Sequence, residues 1–480
     1  MSVTKRASGV LMHISTLHGD YSCGSFGKEA KEFVDFLADA GFSYWQVLPF
    51  CIPDDCASPY KSNSAFAGNP AFIDLPTLAG EGLITAKELE SARQKTPYAA
   101  ELARLGEERE ALLRRAAERA TNREEILAFV QSRPQLWAAC RFLALKKANG
   151  GVAWQDFKIT EEAEEDLFYY AFTQYHFHKQ WADVKAYANA RGIRIIGDVP
   201  IYVAEDSADV CFHRDQFLLD RDGRPSFVAG VPPDYFSADG QMWGNPLYDW
   251  AKMEEDGFTW WKERMEHTLT LFDGVRFDHF RGVESYWSIP RGAKTAREGK
   301  WEKGPGMKLV KALREVAGDR LIIAEDLGDI TKEVADLVEE SGFPGMRVFQ
   351  FAFLSDYHSP HLPHSYPEHC VAYTGTHDNN TLLGFVWEQD AESRRRMLDY
   401  CNYTDPNWDR CYDAILRTML QSHAGLVIFP VQDLLGYGAD TRMNTPGRAG
   451  GNWAFRMTRE SLAAIDRKRF SHLNTIYGRT

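Results

Sequence analysis

The chain has 480 residues, 44% of them hydrophobic, and its 55 basic and 68 acidic side chains give a formal net charge of −13. That length suits several domains or one large barrel with insertions, and a charged fraction of 26% excludes global disorder. The negative charge repels nucleic-acid backbones and anionic membranes, and no apolar run approaches the roughly 18 residues of a spanning helix. The first residues hold Lys5 and Arg6 but no secretory-length apolar segment. The 8 cysteines are scattered and form no CxxC pair, which predicts reduced thiols in a cytoplasmic protein.

Residues 9–14 form the first short apolar run that closes on a polar residue. The 28–40 stretch has helical spacing, with Phe33, Phe36, Leu37 and Ala40 on one face and Gly41 beyond. A second run, 44–48, closes on Pro49. The connection from there to 192 is far longer than a loop. Within it, 101–120, 121–131 and 135–148 favour helix, which predicts an inserted, mainly helical subdomain over 51–190 with a charged, solvated surface. A third run, 193–196, leads into Gly197-Asp198. Residues 202–271 then hold Gly223, Gly230, Pro232-Pro233, Gly240 and Gly244 among many aromatics, and predict an aromatic insertion covering a site. The remaining runs are 274–277, ending at Asp278-His279; 321–324, ending at Glu325-Asp326; 347–351; 370–373, entering Thr374-Gly375-Thr376-His377-Asp378; and 426–430. Helical stripes at 306–316 and 331–341 lie between them, the second with Thr331 at its N-cap and Gly342 after its end. Short β-branched-rich runs alternating with helices predict one (β/α)8 barrel over 1–480, with helical insertions and no separate C-terminal β-sandwich.

A buried parallel strand should stay apolar to its end. Four of these runs end instead in an acid: Asp198, Asp278, Glu325 and Asp378. In a barrel all strand C-termini meet at one face, so these acids would converge. Converging carboxylates suit glycosidic-bond chemistry, in which one acid attacks or stabilises the sugar cation and another protonates the leaving oxygen. Arg276, two residues before Asp278 and on the same side of its strand, would keep that carboxyl ionised, as a nucleophile requires. Glu325 follows Leu-Ile-Ile-Ala, apolar surroundings that raise a carboxyl pKa, as a general acid requires. His377-Asp378 sets a donor beside a third acceptor, suited to adjacent hydroxyls. Aromatics make up 13% of the chain, and flat rings with polar tips also line sugar clefts. Metal-dependent barrel hydrolases gather Asp, Glu and His too, but no HxH marks the first run. No metal and no cofactor is expected: Gly304-Pro-Gly306 lacks the Lys and Ser or Thr of a phosphate loop, and no acidic loop has calcium-site spacing.

The run Gly274-Val-Arg-Phe-Asp-His-Phe-Arg-Gly282 resembles the nucleophile motif of the amylomaltases, the 4-α-glucanotransferases or disproportionating enzymes of the α-amylase clan. Ala324-Glu-Asp-Leu-Gly328 is similar to their acid/base motif, and Gly375-Thr-His-Asp-Asn-Asn-Thr381 to their third-carboxylate motif. Further resemblance runs through Gly197-Asp-Val-Pro-Ile-Tyr-Val203, Asp206-Ser-Ala-Asp209, Ser64-Ala-Phe-Ala-Gly-Asn-Pro70, Pro232-Pro-Asp-Tyr-Phe236, Gly240-Gln-Met-Trp-Gly-Asn-Pro-Leu-Tyr248, Arg442-Met-Asn-Thr-Pro-Gly447 and Gly451-Asn-Trp453.

The resemblance implies retaining transfer of α-1,4-glucan segments between maltooligosaccharides, with Asp278 as nucleophile and Glu325 as general acid/base. It implies that Asp378 holds hydroxyls of the sugar at the cleaved bond, supported by Arg276 and His377. Asp198 and Tyr202 would line the cleft, Trp243 and Asn245 would cover the sugar, Tyr60 would contact glucan, and Asn444 would sit in a second covering loop. The chain departs from the pattern at Pro53-Asp-Asp-Cys-Ala57, Lys61, Cys23-Gly-Ser-Phe-Gly27 and Ala454-Phe455-Arg456. A retaining α-glucan hydrolase and a non-catalytic glucan-binding protein are the competing readings.

Overall fold

The computed structural model describes residues 5–53, 57–233, 238–354, 358–448 and 450–480. Asp54, Asp55 and Cys56 of the divergent rim, and Asp234, Tyr235 and Phe236 of the Pro232 motif, lie outside the described residues.

Eight strands close into a parallel barrel: Ala7–Leu11, Tyr44–Gln46, Arg194–Val199, Gly274–Phe277, Leu321–Ala324, Gly345–Val348, Cys370–Tyr373 and Leu426–Pro430. Each pairs with its neighbours in chain order, and the first closes on the eighth through the register Ala7↔Leu426 to Leu11↔Pro430. Each expected run carries one of these strands, but boundaries move: the second stops at Gln46, and the third runs on to Val199, so that Asp198 lies within it. The first strand starts at Ala7, and the chain turns into a short 3-10 helix at Ile14–Thr16. The sixth ends at Val348, and Phe349–Phe353 coils instead, pairing the Phe349 and Phe353 rings 5.2 Å apart. An aromatic pair four residues apart favours one helical turn, and an apolar run alone does not distinguish the two shapes.

The period of two sorts the strand side chains. Ile196, Ile323, Met346, Val371 and Ile428 fill the barrel, while Trp45, Val275, Phe277, Ile322 and Phe429 face the helical shell. Near the C-terminal mouth the inward positions turn polar. Asp198 and Arg276 are register partners on adjacent strands, and Tyr373 Oη donates to Gln46 Oε1 at 2.8 Å across the interior.

The connection between the second and third strands contains helices Glu107–Glu118, Arg123–Gln131, Pro134–Ala148 and Glu164–Ala190. The last leads into the third strand and sets Trp181 edge-on against the barrel's Trp45, with ring centroids 6.2 Å apart. Leu112, Leu113, Ile126 and Phe172 of these helices share one apolar cluster with Phe33 and Trp45 of the barrel shell.

Residues 202–271 hold more regular structure than their turn-rich sequence predicts. Strands Phe227–Val231 and Gln241–Pro246 lie in an antiparallel sheet with Ser285–Pro290 and Lys300–Lys303. Helix Thr259–Leu271 then enters the fourth barrel strand. The described residues after the eighth strand form a loop and the helices Val431–Leu435, Arg459–Ala464 and Arg467–Ile476, not a β-sandwich.

The seam between the first and eighth strands is locked by Arg479, whose residue surface is 0% exposed. Its guanidinium donates to the carbonyls of Ala7 and Ala424 at 3.0 Å, Leu420 at 2.7 Å and Ser422 at 2.9 Å. Burial lowers its pKa to about 9. Arg479→Ala removes this donor from the Ala7 and Ala424 carbonyls, while Arg6 still reaches Leu420 and Ser422, so it should cost about 2–3 kcal/mol in denaturant unfolding. Arg467→Ala removes an exposed pair with Asp39 at 2.9 Å and a guanidinium 5.6 Å from the Phe36 ring centre, and should cost about 0–1 kcal/mol.

Candidate active site at the C-terminal mouth

Backbone bonds carry the barrel ladder past the strand ends. Asp278 N–H donates to the Val199 carbonyl at 2.9 Å, and Glu325 N–H to the Phe277 carbonyl at 3.1 Å. Phe280 N–H returns to the Glu325 carbonyl at 3.1 Å. Asp278 and Glu325 are therefore fixed to adjacent strands before any side-chain contact forms.

Arg276 lies among the acids. Nη1 donates to both Asp198 oxygens, at 3.0 and 2.8 Å, and lies 2.7 Å from Asp278 Oδ1. Nη2 lies 4.0 Å from Glu325 Oε2. Asp198 is completely enclosed, whereas the Asp278 side chain is 25% exposed at the cleft. Burial pushes the Asp198 carboxyl up, while Arg276 and the Tyr60 hydroxyl pull it back. Glu325 accepts N–H bonds from His279 at 2.7 Å and Leu327 at 3.1 Å. Burial outweighs these bonds and Arg276, and raises its pKa to about 8.

A second side of the cleft rests on Tyr60. Its hydroxyl donates to Asp198 Oδ2 at 2.8 Å, and its ring stacks on His377 at 4.9 Å with planes 10° apart. Burial lowers the His377 pKa. His377 Nε2 lies 3.3 Å from Asp378 Oδ1, and Asn444 Nδ2 donates to the same oxygen at 2.6 Å. The Asp378 side chain is 44% exposed, so it faces the opening.

Tyr202, Trp243 and Asn245 form a separate group around His279. The Trp243 ring meets His279 edge-on at 4.9 Å, and Tyr202 stacks on Tyr248 at 6.0 Å. Asn245 is buried, and its amide donates to the Val203 carbonyl at 2.8 Å, tying the antiparallel sheet to the segment after the third strand. His279 joins the two groups: its backbone has φ +51°, a left-handed turn unusual for a side-chain-bearing residue, and its N–H is the one that meets Glu325.

The 4-alpha-glucanotransferase family profile matches residues 12–462. This chain belongs to the 4-alpha-glucanotransferase family. A 4-alpha-glucanotransferase of Thermus thermophilus is 44% identical over 473 residues, covering 94% of this chain and 95% of that one. One from Streptococcus pneumoniae is 43% identical over 497 residues, covering 99% and 98%. The solved amylomaltase of Streptococcus agalactiae, in complex with acarbose, matches with a TM-score of 0.95 at 38% identity and covers 99% of this chain and 100% of that chain.

In this member of the glucanotransferase family the site also contains residues that the sequence reading passed over. His13 is buried at the end of the first strand, accepts the Leu48 N–H at 3.3 Å, and has its pKa lowered to about 3 by burial. Its signal was a polar residue inside the first apolar run. Trp453, at φ +65°, brings its ring within 5.9 Å of His377 and 6.2 Å of Tyr60. Arg442 donates to the carbonyls of Asp378 and Asn444. Both belong to motifs quoted above without a role of their own. Among the described residues, no three His, Cys, Asp or Glu side chains gather into a metal-binding group.

The raised Glu325 pKa links proton binding to folding. The folded chain holds a proton that the unfolded chain has released, so this stabilisation is present at low pH and is lost as pH rises through about 8. Glu325→Gln has no such proton to lose. The difference in unfolding midpoint, variant minus parent, should therefore grow between about pH 5 and about pH 8. A difference that stays flat over this window means that Glu325 is ionised throughout.

Proposed function

We propose that this chain transfers α-1,4-glucan segments from a donor maltooligosaccharide to the 4-hydroxyl of an acceptor, by retaining double displacement. Its place in the 4-alpha-glucanotransferase family supports this reading, as does its likeness to an amylomaltase solved with acarbose. The observation that carries the chemistry is one guanidinium between unlike carboxyls: Asp278 is paired with Arg276 at 2.7 Å, and Glu325 is held toward its neutral form by burial.

In the first step Asp278 attacks the anomeric carbon of the donor while Glu325 gives its proton to the departing 4-oxygen. Arg276 occupies Asp278 Oδ1, and the other oxygen carries the attack. In the second step Glu325, now a carboxylate, takes the proton from the acceptor's 4-hydroxyl as that oxygen displaces Asp278. Two inversions restore the configuration. Asp378, fixed by Asn444 and flanked by His377, holds adjacent hydroxyls of the reacting sugar; Asp198 and Tyr60 keep Arg276 and His377 in place. The Trp243 and Tyr202 group covers the sugar and shields the intermediate from water, which favours transfer over hydrolysis. Asn245 serves this cover by anchoring it.

Maltotriose should yield glucose and a ladder of longer maltooligosaccharides, unchanged by EDTA and read by chromatography. Shortened products alone would replace transfer with hydrolysis, and no products even from amylose would favour a binding protein. Asp278→Ala should fold normally and lose roughly 10³-fold or more in turnover; an unchanged rate removes Asp278 from the role of nucleophile. Glu325→Gln should lose about 10²–10⁴-fold with maltotriose and far less with a donor whose leaving group needs no proton. Equal loss with both donors rules out the acid role.

A further inference from the structure

A cavity of about 690 Å³ lies away from the cleft, between the inserted helices and the chain that follows the third strand. That volume falls within the roughly 300–1,000 Å³ of small-molecule sites. Its wall carries four guanidinium groups, Arg141, Arg214, Arg221 and Arg224, against the carboxylates of Asp156 and Asp222. Such a positive concavity stands out in a chain of net charge −13. Three of the arginines are oriented by the protein. Arg141 is held by Glu162. Arg224 lies 3.7 Å from Asp156. Arg214 lays its guanidinium 4.3 Å from the centre of the Trp154 ring and donates Nε–H to the Cys211 carbonyl at 3.1 Å. Arg221 is exposed and makes no ion pair among the described residues.

The rest of the wall matches a ring bearing hydroxyls. Gln155 uses Nε2 on Glu205 Oε1 and the Gly223 carbonyl, both at 3.2 Å, which fixes this part of the wall. The carboxylates of Asp156 and Asp222 offer acceptors to ligand hydroxyls. Phe212, 38% exposed, supplies an apolar face. Guanidinium forks with spare N–H groups match the geometry of phosphate oxygens. The Trp154 floor is tied through its indole N–H to the Glu205 carbonyl at 2.9 Å, two residues after the Val203 carbonyl that anchors Asn245.

We propose that this cavity binds a phosphate monoester of a hydroxylated ring, such as a sugar phosphate or a nucleotide, independently of the glucan cleft. Equilibrium dialysis with labelled glucose 6-phosphate, AMP and inorganic phosphate tests this, with and without excess maltotriose. One organic phosphate should bind per chain, more tightly than inorganic phosphate and undisturbed by maltotriose. The tighter of the two organic probes identifies the source. The double variant Arg214→Ala/Arg221→Ala should bind about tenfold more weakly or worse and should disproportionate maltotriose at the parent rate. No saturable binding at millimolar concentration overturns the proposal. So do binding no tighter than that of inorganic phosphate, displacement by maltotriose, and full binding by the double variant. None of these outcomes bears on transfer, which the product ladder tests separately.

Discussion

The Arg276 guanidinium is enclosed with Asp198 on one side, Asp278 at 2.7 Å on another and Glu325 at 4.0 Å. One buried cation cannot fully neutralise the enclosed Asp198 and Glu325 together with Asp278 at the cleft, and an unpaired charge in such a place costs several kcal/mol. The least costly arrangement leaves one acid protonated. Asp198 and Asp278 take the direct contacts with Nη1, so Glu325, bonded mainly by backbone N–H groups, keeps the proton. Glu325 thus differs from Asp278 first through its burial and then through its lack of a direct contact with the shared cation. This arrangement exists only if the barrel closes, because the register that sets Asp198 opposite Arg276 is a property of paired strands.

The antiparallel sheet beside the mouth depends on the same strand. It takes two strands from before the fourth barrel strand and two from after it. The chain that leaves Asp278 therefore turns at once, and the positive φ of His279 makes that turn. The turn aims one N–H at Glu325 and one ring at Trp243. The sheet, the strand that ends at Asp278, and Glu325 are mechanically joined at this residue.

The acids were legible in the sequence because a carboxylate at the end of an apolar run is a local signal, and barrel topology turns local signals into a cluster. Arg276 was legible through the strand period. The strands Ser285–Pro290 and Lys300–Lys303 were not, because the pair joins its sheet only through Phe227–Val231, far back along the chain, and Ser-Tyr-Trp-Ser-Ile-Pro shows no clean alternation. Their pairing depends on tertiary context, which a propensity cannot express. The sixth strand was misplaced because an apolar run does not declare its period. Asn245 was expected to cover the sugar beside Trp243; where a side-chain amide turns is set by the nearest unpaired carbonyl, here Val203. Trp453 reaches the Tyr60–His377 stack from the loop beyond the eighth strand, and His13 packs on Phe50 and Phe72 beyond the first, so no single window of sequence contains these contacts.

The seam itself has a consequence for biosynthesis. Ala7 and Arg479, which meet across it, are separated by 472 positions. At roughly 5–20 residues per second, a ribosome needs about 25–95 s to make the distance between them. Throughout that interval the first strand can pair with the second, but its other edge has no native partner until Leu426–Pro430 is made. An uncovered edge of small and apolar residues (Ala7-Ser-Gly-Val-Leu11) is a template for strands from other chains. The vulnerable moment for this molecule therefore comes during translation, before the eighth strand has been made.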